Sequence, residues 1–411
     1  MQMIRPQPLG VFAGVTGLLV LPVPAKPPEA AVLSSLMRGR FGAIPGEWGF
    51  FRESLVDGPD LAERLPDGPE SLYNRFVLNP GDGSYHAAHS ALQGDLAQLL
   101  EASAWRLGFK TAVPPAPGDT DGEVRAFLLA ARAHYWLDQG TWQKSLRDLD
   151  QAVGAARAVS PVFAARLLAE HAGILRTQAG ASEQVVQEYR TALELLAESA
   201  FDNARAYLLV ELGSVWQELA NGQRGLLMES VHCYQQALQW LTRDNDPESY
   251  ALAQMNLALT YIALPLDSEK SRLRAAIAVQ GFREALTVFT PDAYPDLWAS
   301  ATLNLANALQ HLPSSHPEEN LWQAVDLYEK VLAQRDPESN PVGYARVLAS
   351  FGNALAHLGA LTRAGRMLTE ARHLFQNAGD GDAMLGVDEV LAEIALRKHA
   401  TGDDSMARAN R

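Results

Sequence analysis

Six polar side chains recur at matching places along this chain. Asn256 and Asn304 occupy one position of a repeating pattern, Asn307 and Asn353 a second, and His311 and His357 a third, one helical turn further on. A carboxamide both donates and accepts hydrogen bonds, so amides repeated in register can hold the backbone of an extended peptide with little regard for its sequence. The same amides can instead bridge neighbouring helices, and matched histidines can be merely solvated or packed. The ranks are therefore candidates for binding and for bracing alike.

Other chemistry is sparse. The chain holds no Gly-x4-Gly-Lys-Ser/Thr phosphate loop, no Gly-x-Gly-x2-Gly turn, no His-Glu-x2-His and no Gly-x-Ser-x-Gly elbow. His86-Ala87-Ala88-His89 sets two imidazoles at i, i+3, a spacing open to a metal, but no third ligand at regular spacing follows, and an exposed helical face is expected. The lone cysteine, Cys233, excludes an internal disulfide framework and a thiolate cage; it reads as a small buried residue of a protein in reducing cytoplasm. No catalytic residue, cofactor or metal is expected.

The elements that must position the ranked polar residues form a pattern repeated six times at a period of roughly 38 to 48 residues. A small residue (Ala133, Gly213, Ala258, Ala306 or Gly352, with His171 as the exception) is followed three places on by a large one: Trp136, Ile174, Trp216, Tyr261, Leu309 or Leu355. A second segment then carries Leu149/Ala152, Tyr189/Ala192, Tyr234/Ala237, Phe282/Ala285, Tyr328/Val331 or Leu368/Ala371. Two helices that cross closely need a small side chain where one ridge enters the other's groove. Ser145, Val185, Ser230, Ala278, Ala324 and Ala364 supply it on the second helices. From Tyr189 to Gly213, Tyr234 to Ala258, Phe282 to Ala306 and Tyr328 to Gly352 the separation is 24 residues each time, so the connection between hairpins is constant. Within a hairpin it varies from 16 to 24, and insertions collect in the turn. Pro161, Pro247, Pro295 and Pro341 mark first-helix starts, where a missing N–H costs nothing; Ser160, Asp246 and Asn340 precede three of them as capping side chains.

This set of positions, over residues 123 to 377, resembles the tetratricopeptide repeat. The Pro-x-x-aromatic-Ala starts at Pro247, Pro295 and Pro341, with Asn256-Leu257-Ala258 and Asn304-Leu305-Ala306, resemble the narrower type found in kinesin light chains and ahead of CHAT protease domains. The resemblance implies an all-α solenoid of six antiparallel helix pairs in a right-handed superhelix, closed by a capping helix within 382–399, and implies that Asn256 and Asn304 line a peptide groove. Met255, Leu303 and Ala349 stand where some such domains carry the lysine of a carboxylate clamp, which argues against a chaperone-tail receptor.

The expected organisation is an N-terminal region (1–118), a repeat domain (119–399) and a frayed tail (400–411). The 411 residues carry a net charge of −14, of which −2 falls before residue 119. An acidic repeat array argues against nucleic acid and anionic membranes, which both select basic stripes. The apolar run Leu9–Ala25 is too short and proline-interrupted to span a bilayer. Val23-Pro24-Ala25 resembles a secretory cleavage site, yet the n-region is weakly positive, and the run reads instead as an extended arm buried on the repeats or on a partner. Pro45–Gly83 reads as irregular, with Trp48, Phe50, Phe51, Tyr73 and Phe76 needing burial, Ser84–Leu107 as one amphipathic helix, and Gly108–Gly122 as a linker. The expected role is a protein-binding scaffold, adaptor or accessory factor, and a subunit of a larger complex fits it; the alternative is a receptor sensing a peptide or small ligand, with Trp298 and Tyr344 closing over it.

Overall fold

A computed structural model describes residues 3–26, 28–40, 42, 44–55, 65–265, 271–313 and 315–409, with side chains for all of these except 271 and 401–409. The inserted turn at 266–270 and the end of the tail at 410–411 lie outside the described residues. Those described form eighteen α-helices and no strand, and none of these helices is long and apolar enough to cross a membrane. Packing divides the chain into two compact units at Leu219/Ala220.

The first unit opens with α1 (Ala30–Met37), α2 (Gly49–Glu53), α3 (Pro69–Leu78), α4 (Asp82–Ala91) and α5 (Asp95–Arg106). Two hairpins follow, α6 (Gly122–Asp138) with α7 (Trp142–Ala156) and α8 (Pro161–Ala179) with α9 (Glu183–Leu196), and then α10 (Asp202–Ala220). Two expectations change here. The proposed helix over Ser84–Leu107 is broken at Leu92–Gly94, where Gly94 takes φ +60°, a left-handed conformation that ends one helix before the next begins. The stretch expected to be irregular contains α3, started by Pro69, and all five of its aromatics are buried.

The N-terminal arm is part of this unit's core. Leu9, Leu19, Val20 and Leu21 are fully buried, and their backbone is held by side chains as a neighbouring strand would hold it. Val20 donates its N–H to Asn74 Oδ1 at 2.9 Å, and Asn74 Nδ2 returns a bond to Val20 O at 2.8 Å. Gln7 does the same for Leu21, at 2.7 and 3.1 Å. Tyr73 donates to Leu18 O, and Trp48 Nε1 to Pro22 O. At the arm's start, Arg5 bonds the buried Glu123 at 2.5 Å and Asp121 at 2.8 Å, at the beginning of α6. Buried backbone polar groups must be paired, and here polar side chains of the arm itself, of Trp48 just before α2 and of α3 supply the partners.

The second unit holds α11 (Arg224–Ala237) and the hairpins α12 (Pro247–Ala263) with α13 (Ser271–Ala285), α14 (Pro295–Gln310) with α15 (Pro317–Gln334), and α16 (Pro341–His357) with α17 (Leu361–Ala378). It ends in α18 (Gly381–Ala409). Helices α12, α14, α16 and α18 lie side by side in that order. Every predicted small seam residue on a second helix is fully buried, as are Tyr234, Phe282 and Tyr328. Prolines begin α8, α12, α14 and α16 as expected. Asp246 and Asn340 cap their helices through Ser249 N and Gly343 N, but Ser160 makes no capping bond.

Candidate functional site

Helix α14 buries Ala299, Ala301, Leu305, Ala306, Ala308 and Leu309, a spacing that turns one face inward and leaves Asn304, Asn307 and Gln310 half-buried along another. Helix α16 repeats this: Phe351, Gly352, Ala354 and Leu355 are buried while Ser350 and Asn353 are half-buried. Gln310 Nε2 ties the two helices by donating to Ser350 O at 3.1 Å.

Between α14, α16 and α18 lies a cleft of about 580 Å³. Three of the six ranked residues, Asn307, His311 and Asn353, line it, together with Gln310 and Arg346, over a floor that includes Val387 and Val390 of α18. A smaller hollow of about 240 Å³ adjoins it, walled by Tyr261, Ile262, Leu264 and Pro313 and sharing Asn307 and His311. Neither lining contains a carboxylate, while Arg346, Arg274 and His311 face these spaces. In a chain with 48 acidic residues, this local balance favours a neutral or acidic guest.

The amides differ in what they already hold. Tyr328 of α15 donates its hydroxyl hydrogen to Asn307 Oδ1 at 2.6 Å, so Asn307 braces its own hairpin and offers only its amino group to the cleft. Burial pushes the Tyr328 hydroxyl pKa up, against an opposing hydrogen bond with Ser350, so it stays a donor. Among the described residues, no hydrogen bond engages the side chains of Asn256, Asn304 or Asn353, all half-buried. His311 and His357 are exposed. Asn256, Asn304 and His357 line neither space, and Trp298 and Tyr344, expected to close over a ligand, line neither as well. Sequence reasoning missed Gln310, Arg346 and Ser350, although Gln310 and Ser350 lie three residues, and Arg346 seven, from Asn307 or Asn353 on the same helical faces. The contribution of α18 to the floor left no such signal.

His86 and His89 are occupied locally: His86 Nδ1 lies 2.7 Å from Asp82 O, and His89 Nδ1 lies 3.2 Å from Glu101. Among the described residues, no group of three His, Cys, Asp or Glu side chains is placed to hold a metal. Cys233 is buried.

No protein-family profile and no curated protein sequence matches the chain. Solved structures do. The C-terminal part of a TPR repeat-containing protein from Cytophaga hutchinsonii is 15% identical, over 64% of this chain and 87% of that one, with a TM-score of 0.43. A signal transduction ATPase with numerous domains and a tetratricopeptide repeat sensor, from Pyrococcus horikoshii, is 14% identical with a TM-score of 0.52; the match takes in 85% of this chain and 52% of that one. The fold is thus all-α and built of tetratricopeptide-type hairpins, while none of these matches bears on the kinesin-light-chain type.

Proposed function

We propose that the protein is a non-catalytic interaction scaffold, an adaptor or accessory factor of a larger cytoplasmic complex, and that it holds an extended segment of a partner protein along α14, α16 and α18. The observation that carries this reading is the convergence of Asn307, His311 and Asn353 on one cleft with Gln310 and Arg346. An extended peptide presents unpaired N–H and C=O groups at short intervals, and half-buried amides satisfy them while excluding water. Asn74 and Gln7 treat the chain's own residues 20 and 21 in this manner, which supports the chemistry. The absence of carboxylates from the lining adds a preference for a neutral or acidic segment, and a lone buried thiol suits a reducing compartment.

A photo-reactive residue placed at His311 or Asn353 in the native organism tests the proposal, with the exposed Lys330 of α15 as the control position. A protein partner cross-linked from 311 and 353 but not from 330 is expected. Equal labelling from 330, or none from the cleft, overturns the reading. The hollow beside Tyr261 favours one alternative, a receptor for a small ligand. Native mass spectrometry showing a small molecule retained by the purified chain, with no protein cross-linked, would put that reading in its place.

A further inference from the structure

Desolvating a charge without giving it a partner is costly, so a guanidinium set into a protein is ordinarily found on a carboxylate. In the first unit two guanidiniums converge with none. Arg106, in the last turn of α5, holds its guanidinium 5.1 Å from the centre of the Phe127 ring of α6. Arg166 of α8 donates a single long bond, at 3.4 Å, to Gly10 O of the arm. Two turns beyond Phe127 on the same face of α6, His134 is bonded to Glu170, which stands one turn beyond Arg166 on α8. Among the described residues, no hydrogen bond or ion pair reaches the Arg106 guanidinium, and Glu170, held by His134, comes within ion-pair distance of neither arginine. Arg106 is half-buried and Arg166 exposed, so both keep contact with solvent. Their charges act on one another: burial pushes the Arg106 pKa down to about 10, and the Arg166 charge adds to the fall while Glu170 opposes it.

We propose that Arg106 and Arg166 form a binding site for a phosphate group, free or carried as a monoester on a small molecule, held between α5 and α8. Each guanidinium presents a planar fork of N–H donors matched to oxyanions, and the two forks come from different helices. One fork is enough for a carboxylate. A tetrahedral phosphate offers three terminal oxygens and about two negative charges near neutral pH, which engages both forks and balances both charges. Phe127 fixes the direction of Arg106 through its ring face, and Gly10 O fixes that of Arg166. His134 keeps the Glu170 carboxylate from taking the place of the guest by holding it as its own partner. The site belongs to the first unit and shares no residue with the cleft of the second, so it stands whether or not a peptide binds there.

Thermal unfolding of the full chain in a zwitterionic buffer tests this, with inorganic phosphate titrated against chloride and acetate at equal ionic strength so that general screening cancels. Phosphate is expected to raise the melting temperature saturably, by about 2 to 4 °C at about ten times its dissociation constant, and chloride and acetate are not. Arg166→Gln, at an exposed position, should weaken phosphate binding by at least about tenfold and leave the melting temperature in chloride unchanged. Arg106→Met keeps an apolar stem on Phe127 and removes the unpaired charge. It should melt at or above the wild type in chloride and lose the phosphate response, a combination that a purely structural arginine would not give. Glycerol 3-phosphate in place of inorganic phosphate reads the source: tighter binding of the ester assigns the site to a phosphorylated small molecule, and weaker binding to free phosphate. A response to phosphate no larger than to chloride or acetate, a response retained by both variants, or an Arg106→Met variant less stable than wild type in chloride would each overturn the proposal.

Discussion

The Tyr328 hydroxyl and the Asn307 side-chain oxygen, 2.6 Å apart, join the two helices of one hairpin at the point where the first helix faces the cleft. Tyr328 is fully buried, so removing this acceptor leaves the hydroxyl only its interaction with Ser350. Asn307→Ala should lower stability by about 1 to 3 kcal/mol, and Tyr328→Phe in the same background should recover part of that loss. Asn353→Ala should leave the melting temperature nearly unchanged while weakening capture of the partner. Denaturant titrations of the three variants check the first claim, and equal stability losses for Asn307→Ala and Asn353→Ala would show that both amides are braces.

Gly352 and Gly365 make opposite predictions for the same substitution. A Cβ on Gly352 would lie 2.6 Å from Leu368 Cγ and 3.3 Å from Ala364 O, whereas on Gly365 it would meet nothing nearer than Lys398 Nζ at 4.0 Å. Gly352→Ala should destabilise by about 1 to 3 kcal/mol through overpacking. Gly365→Ala, inside α17, should stabilise by about 0.5 to 1 kcal/mol, because alanine loses less backbone freedom in a helix. Melting curves giving the same sign for both would refute the register of this seam.

The arm offers a graded test. Asn74→Ala strands both backbone groups of the buried Val20, at about 1 to 3 kcal/mol each, while Asn74→Asp retains an acceptor for the Val20 N–H and loses the donor to its carbonyl. Hydrogen exchange at Val20 should accelerate strongly in the alanine variant and little in the aspartate variant, with stability falling in the same order. Unchanged protection in Asn74→Ala would show that the arm is held by its apolar contacts alone.

Glu101 supplies a pH signature. Burial by itself would raise its pKa, but hydrogen bonds from Lys110, at 2.8 Å, and from Tyr85 outweigh this and hold the carboxyl below its ordinary value. The folded state therefore binds this proton less readily than the unfolded chain. The stabilisation is present above the ordinary carboxylate pKa of about 4.3 and is lost as pH falls through the lower folded value. Glu101→Gln should be less stable than wild type at pH 7, and the gap should close toward pH 3. A gap that stays constant across that range would mean the ion pair is not its source.

The repeat architecture was legible from residues alone because its determinants are local and recur. A small residue at Ala306 or Gly352, a large one three places on and an aromatic such as Tyr328 on the next helix are dictated by how two helices cross, and six copies of a weak pattern reinforce one another. The polar ranks were legible for the same reason, since helical periodicity alone puts Asn307 and Asn353 at equivalent places. Which amides are already engaged was not: that depends on which hydroxyl the facing helix brings within reach, and Tyr328 reaches Asn307 while nothing comparable engages Asn353. Tertiary structure also decided that α18 floors the cleft, that Gly94 breaks the helix expected over Ser84–Leu107, and that Asn74 and Gln7 complete the backbone of the N-terminal arm. Each of these depends on pairing or packing between residues distant in sequence, or on a backbone conformation that the apolar pattern does not encode, and such relationships leave no period to read.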